Sequence, residues 1–179
     1  DNGPAATVNQ NGSVGAISNL GDLPVFRGSA ANKIPSQAKT DLNAIAANAD
    51  RGSLTAKVNL ATAVQAPIVG SDDFIWIAKA GEDGLCVFAP ANGSFSSACG
   101  SKEDVEATGL LGYSQGTKPS ESIAYQVVPE GGPAVTITSV TGEARKLSGQ
   151  LGVSAAVVDP TDKISNGVVS YDLAKLSAR

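Results

Sequence analysis

Histidine and methionine are absent from the 179 residues, cysteine occurs only twice, and aromatic side chains make up 4%. Each shortage removes some chemistry. Without histidine the chain lacks the commonest general base and the commonest metal ligand. Two cysteines alone cannot complete a four-ligand structural zinc site. They are not spaced Cys-x-x-Cys, which removes the thioredoxin-type redox motif. No apolar stretch approaches the roughly 20 residues of a membrane helix. Basic runs and basic–aromatic alternation are missing too, and 13 Lys and Arg stand against 17 Asp and Glu. Nucleic acid is therefore not an expected partner. With no methionine at position 1, the sequence is expected to start after processing or downstream of further chain. A signal peptide or anchor, and with it any membrane attachment, would lie upstream of Asp1.

What is present suits one domain with a modest core. The apolar fraction is 42%, much of it alanine, and the length is enough to bury an ordinary core. Residues 1–22 are rich in Asn, Gly, Ser and Ala and read as an arm or juxtamembrane linker. Val8, Val14, Ile17 and Leu20 are the side chains that would anchor it to its own domain, a second copy or a partner. Residues 23–179 form the expected β-rich domain.

A helix over about 35–49 is expected, with Pro35 at its first position. Ala38, Leu42, Ile45, Ala46 and Ala49 fall on one face, and Arg51-Gly52 marks the end. The segment 54–64 reads as irregular. Strands are expected at 61–69, 73–80, 84–89, 95–99, 108–113, 122–128, 134–140, 151–158 and 167–173. FIWIAKA carries apolar residues on both faces, so it should be central. AVTITSV alternates, with Val135 and Ile137 inward. Ser101 should cap a short helix in SKEDVEATG. The expected fold is α+β and mainly β: an antiparallel sandwich, or a bent sheet or partly open barrel, with one N-terminal helix.

The stretch GLCVFAPANGSFSSACG leaves three states for Cys86 and Cys99: two buried thiols, one reactive thiol, or a disulfide. Strand-like LCVFA, turn residues Pro90, Asn92 and Gly93, and strand-like SFSSAC form a hairpin that would bring the two together. The disulfide is the favoured state, and such bonds persist outside the reducing cytosol.

The remaining motifs carry weaker signals. SQAK places Ser36 one helical turn from Lys39, as in the Ser-x-x-Lys hydrolases. The companion Ser-Asp-Asn and Lys-Thr-Gly motifs are missing, so a polar first turn is the better reading. Acidic pairs at Asp72-Asp73 and Glu82-Asp83, and the trio Glu103, Asp104 and Glu106, suit solvated turns better than a calcium site or a glycosidase. Neither a Walker loop nor a dinucleotide fingerprint occurs, and no cofactor is expected. Asn11-Gly12-Ser13 and Asn92-Gly93-Ser94 fit the glycosylation pattern and indicate exposure. Trp76 reads as core first and as a ligand-stacking residue second.

Taken in order, LPVFRGSAANKIP, FIWIAKAGEDGLCVFAP with its later cysteine, and YQVVPEGGPAVTITSV resemble a group of uncharacterised actinobacterial proteins. Those carry a small extracytoplasmic domain on an upstream membrane helix. Gly84-Leu85-Cys86, Cys99 and Val128-Pro129-Glu130-Gly131 carry the resemblance, which spans roughly residues 22–173. DKISNGVVSYDLAKL departs from it, leaving the last strand's placement open. The resemblance implies a position outside the membrane and no particular activity. The expected role is non-catalytic: contact with a protein partner or with further copies of the chain, secreted or at a cell surface. A small-ligand or peptide-binding module is the second reading, and a Ser36/Lys39 hydrolase the third.

Overall fold

β2 (Phe74–Ala80) and β3 (Gly84–Ala91) carry apolar side chains on alternate positions of both faces, so they need cover from two sides. In the computed structural model, which describes residues 23–27, 34–147 and 149–177, both sides are covered. Ile75, Ile77, Leu85, Val87 and Ala89 face one core cluster. Trp76, Ala78, Cys86 and Phe88 face another, closed by Leu42 and Ile45 of α1 (Ser36–Asn48). With β1 (Val64–Pro67) and β4 (Ser94–Ser101), these strands make an antiparallel sheet in the order β1-β2-β3-β4.

The second sheet, β5-β6-β9, is formed by Leu110–Gln115, Ser122–Val127 and Val153–Val157. β6 is buried along its whole length. Ile123, Tyr125 and Val127 complete the first core cluster, while Ala124 joins Leu111 and Ala156 on the opposite face. The Tyr125 hydroxyl, buried there, has its pKa pushed up to about 12, chiefly by loss of water and then by Tyr171. At one edge the two sheets are stitched by Val69, which donates to Ala155 and accepts from Val157 at 2.9 Å each. At the other edge the Ser96 and Ser114 hydroxyls share a hydrogen bond. The first two sheets thus wrap around one core, and the described strands form no closed barrel.

A third sheet covers the outer face of the second. Its strands are β7 (Val135–Thr138), β8 (Ala144–Leu147), β10 (Lys163–Ser165) and β11 (Ser170–Asp172), ordered β11-β10-β7-β8. Val135, Ile137, Leu147 and Ile164 point inward, joined by Leu173 of α3 (Leu173–Ser177). The architecture is therefore α+β and mainly β, layered as helix, sheet, sheet, sheet.

Several boundaries differ from expectation, each for a local reason. Pro35 stands at the N-cap, one residue before the helix, and α1 stops at Asn48, so Arg51-Gly52 belongs to the turn beyond it. Residues 61–63 are not strand, because Asn59 caps a 3-10 turn at Leu60–Thr62. α2 (Lys102–Thr108) runs to Thr108 and delays β5 to Leu110; Ser101 caps it as expected, in a reciprocal box with Asp104. The start of 151–158 is a turn, and β11 begins at Ser170.

Cys86 and Cys99 lie directly opposite each other in the β3–β4 register and form a disulfide, with Cα atoms 4.0 Å apart. Asn92 (φ 54°) and Gly93 (φ 77°) make the two-residue turn between these strands. Glu121 fixes the tip of this hairpin. Its Oε2 accepts from the backbone N–H of Asn92 at 3.1 Å and of Lys118 at 3.4 Å, and the residue is only 7% exposed. Gly116 lies against this carboxylate where a Cβ would collide with it. The Asn92 N–H, with further help from Lys118, outweighs burial and holds the Glu121 pKa below its ordinary value. A lowered folded-state pKa contributes stability that is present above the ordinary value near 4.5 and lost as pH falls through the folded value. Glu121→Gln should therefore lower the unfolding free energy read from urea titration at pH 7 by about 1–2 kcal/mol. Its difference from wild type should shrink as acid protonates the wild-type carboxylate. A pH-independent difference would reject the charged anchor.

Candidate binding cleft

VPEGGPA, residues 128–134, leaves β6 between two prolines with two glycines at its centre, a composition that rules out ladder pairing. Gly132 donates to the Pro129 carbonyl at 2.9 Å, closing the loop on itself. Across from it, Gln150 and Val153 exchange backbone hydrogen bonds at 3.0 Å around Leu151 (φ 55°) and Gly152 (φ 73°). Such a turn asks for positive φ at both central residues and usually takes Asn-Gly. Here a leucine occupies the first, at a cost of roughly 1–2 kcal/mol, and stands 59% exposed. The Gly152 carbonyl accepts from Val128 at 2.8 Å and ties the two walls together.

Between these walls lies a cleft of about 750 Å³, lined by Pro24, Val128, Pro133, Leu147, Leu151 and Val153 among others. That volume falls in the roughly 300–1,000 Å³ range of small-molecule sites. Gln126, 1% exposed, forms part of the lining and is locked from both ends. Its Nε2 donates to the Pro133 carbonyl at 2.8 Å, and its Oε1 accepts from Asn166 at 2.8 Å. At the rim, exposed Arg27 and Glu130 form an ion pair at 2.7 Å, and the Arg27 hydrogen bond and charge lower the Glu130 pKa. Glu130 and Lys146 are the ionisable side chains among the described lining residues. Ser154 supplies a hydroxyl to the lining, beside the Gln126 amide and the apolar walls.

The structure brings Cys86 and Cys99 together. It places Trp76, 4% exposed, in the layer beneath α1 with Leu42 and Phe88, so stacking on a ligand would require that layer to open. Ser36 and Lys39 lie exposed on the first turn of α1 and do not line the cleft. The anchoring residues Val8, Val14, Ile17 and Leu20, and the sequon at Asn11, lie outside the described residues. Asn92 stands exposed at its hairpin tip, where its Oδ1 accepts from Thr117 at 2.8 Å. Asp72-Asp73 and Glu82-Asp83 are exposed in turns, and Glu103 and Asp104 in the first turn of α2. The cleft itself went unseen in the sequence. VPEGGPA read as a loop, and Leu151-Gly152 read as the start of a strand.

Compared with family models, curated proteins and solved structures, the chain matches none. Of the actinobacterial resemblance, the element present in the structure is the Cys86–Cys99 disulfide. That bond fits an oxidising, extracytoplasmic setting. Among the described residues no helix is long and apolar enough to cross a membrane.

Proposed function

We propose that this is a non-catalytic extracytoplasmic domain that acts by protein contact, and that the cleft between residues 128–134 and 149–154 is its contact surface. One observation carries this reading. Leu151 is held at φ 55° with most of its side chain in solvent, on the lip of a cleft of about 750 Å³. A bulky apolar residue in a left-handed position destabilises the fold, and strain of this kind concentrates where a surface serves something other than stability. The disulfide supports the compartment.

Leu151→Gly separates stability from contact. Removing the side chain relieves the strain, so the variant should be more stable than wild type by about 1 kcal/mol. A photo-crosslinking residue at position 151, used on the cells that make the protein, should give a discrete adduct. The same group at Val140, also exposed, should not. A less stable glycine variant, or equal labelling at 151 and 140, would sink the proposal. The cleft volume keeps a peptide or small ligand as the second reading. Its signature is a thermal shift with a short apolar peptide that Leu151→Gly abolishes.

A further inference from the structure

The inward face of the third sheet continues past the ends of its strands. Ile137 of β7 pairs with Arg145 of β8 and with Ile164 of β10, so the three share the side turned towards the second sheet. Arg145 reaches that sheet, where its Nη2 donates to the Val157 carbonyl of β9 at 3.1 Å. Two residues further along stand Ser139, Glu143 and Asp162, which the two-residue period of extended chain puts on the same side. The Ser139 N–H donates to the Glu143 carbonyl at 2.8 Å and closes the β7–β8 turn. With Ala144, these side chains line a cavity of about 420 Å³.

Three charges meet there without pairing. Asp162 is 6% exposed; its Oδ2 accepts from the Asp159 N–H at 2.9 Å, and its other oxygen has no donor among the described residues. A buried carboxylate ordinarily has its acceptor positions filled. Glu143 and Arg145 are exposed, and among the described residues neither forms an ion pair with the other or with Asp162. Carboxylates and a guanidinium that share a cavity unpaired leave both signs free for a ligand. A metal ion is the poorer occupant, because Arg145 repels it and among the described residues no three acidic or sulfur side chains converge. We infer that this cavity, separate from the cleft, binds a free α-amino acid with an apolar side chain. The ammonium group donates to Asp162 and Glu143. The carboxylate accepts from the guanidinium donors that Val157 leaves unused. The side chain rests on Ile137 and Ala144, and the volume suits a small molecule.

The test uses the full chain, isotope-labelled, at low salt so that the exposed charges are not screened. L-valine and L-leucine should each shift the Ser139, Glu143, Arg145 and Asp162 amides, with a Kd of about 1 mM or tighter. N-acetyl-L-leucine lacks the ammonium and L-leucine methyl ester lacks the carboxylate, so each should bind at least ~10-fold more weakly. Arg145→Gln and Glu143→Gln, both at exposed positions, should weaken L-leucine binding by a similar factor. The amides of Cys86 and Val87 should not move in either variant, reporting an intact fold. Four unmoved cavity amides with both amino acids would overturn the inference. So would equal binding of the acetylated or esterified compound, wild-type affinity in both variants, or the same shifts from calcium chloride alone.

Discussion

Replacing Cys86 and Cys99 by alanine should lower the stability of the domain by about 3 kcal/mol, the chain-entropy value for a loop of this length. The native hairpin should survive, because β3 and β4 are paired from Gly84–Ser101 to Ala91–Ser94 without the bond. The loss therefore lies mainly in the unfolded chain, which regains the freedom the bond removes. A smaller part is packing. Cys86 is fully buried between Trp76, Phe88 and Leu42, so alanine leaves space under α1. Thermal unfolding should show a midpoint lower by roughly 6–12 °C. Wild type in strong reductant should approach the variant, while the variant should not respond to reductant. Two alkylatable thiols in native protein, or a midpoint insensitive to reductant, would remove the staple and with it the argument for an oxidising compartment.

The parts of the fold that were legible in the sequence are those where side-chain chemistry and backbone need coincide. FIWIAKA reads as central because both faces are apolar, and it lies between β1 and β3. Of the expected face, Ala38, Leu42, Ile45 and Ala46 are turned inward by α1, while Ala49 is its C-cap. Asn92-Gly93 announces its turn, and Ser101 its helix. β8 and β10 escaped because each is a short strand of the outermost sheet. ARKL shows three exposed residues out of four, and KIS has one inward position, Ile164. Their pairing is dictated by β7, not by their own pattern. Cover from a third sheet is also why Ala124 and Ala156, small residues with weak local signals, are fully buried.

The cleft escaped for a different reason. Clefts arise where elements fail to meet, and no residue type encodes that gap. Gly131 and Gly132 suggest a loop, and only the opposing 149–154 turn makes the loop a wall. Leu151 broke the turn rule that would have exposed it, since leucine before glycine suggests a strand start. A residue that violates local preference is what the proposed contact surface would be expected to contain.

Below this surface, the buried pair Gln126 and Asn166 fixes the geometry, and Asn166 makes the sharper prediction. It is 3% exposed, and its side chain makes four hydrogen bonds. Nδ2 donates to the Thr108 carbonyl at 2.6 Å and to Gln126 Oε1 at 2.8 Å. Oδ1 accepts from the N–H groups of Val168 at 3.0 Å and Val169 at 2.8 Å. One amide therefore joins the end of α2, β6 and the β10–β11 turn. Asn166→Ala strands two acceptors and two donors, the Gln126 oxygen buried and the other three part-buried, and should cost roughly 3 kcal/mol, with unpaired groups at about 1–3 kcal/mol each and shared relaxation keeping the sum below additivity. Asn166→Asp preserves the acceptor half but sets a carboxylate against two oxygens. It should be worse than alanine at neutral pH and recover relative to wild type in acid, since a carboxyl pKa raised in the fold removes stability above it. Freed from Asn166, Gln126 should hold Pro133 less firmly, and exchange at Gly131 and Gly132 should quicken before the β3–β4 amides change. If alanine is tolerated within about 0.5 kcal/mol, the network is incidental, and the cleft must owe its shape to the prolines alone.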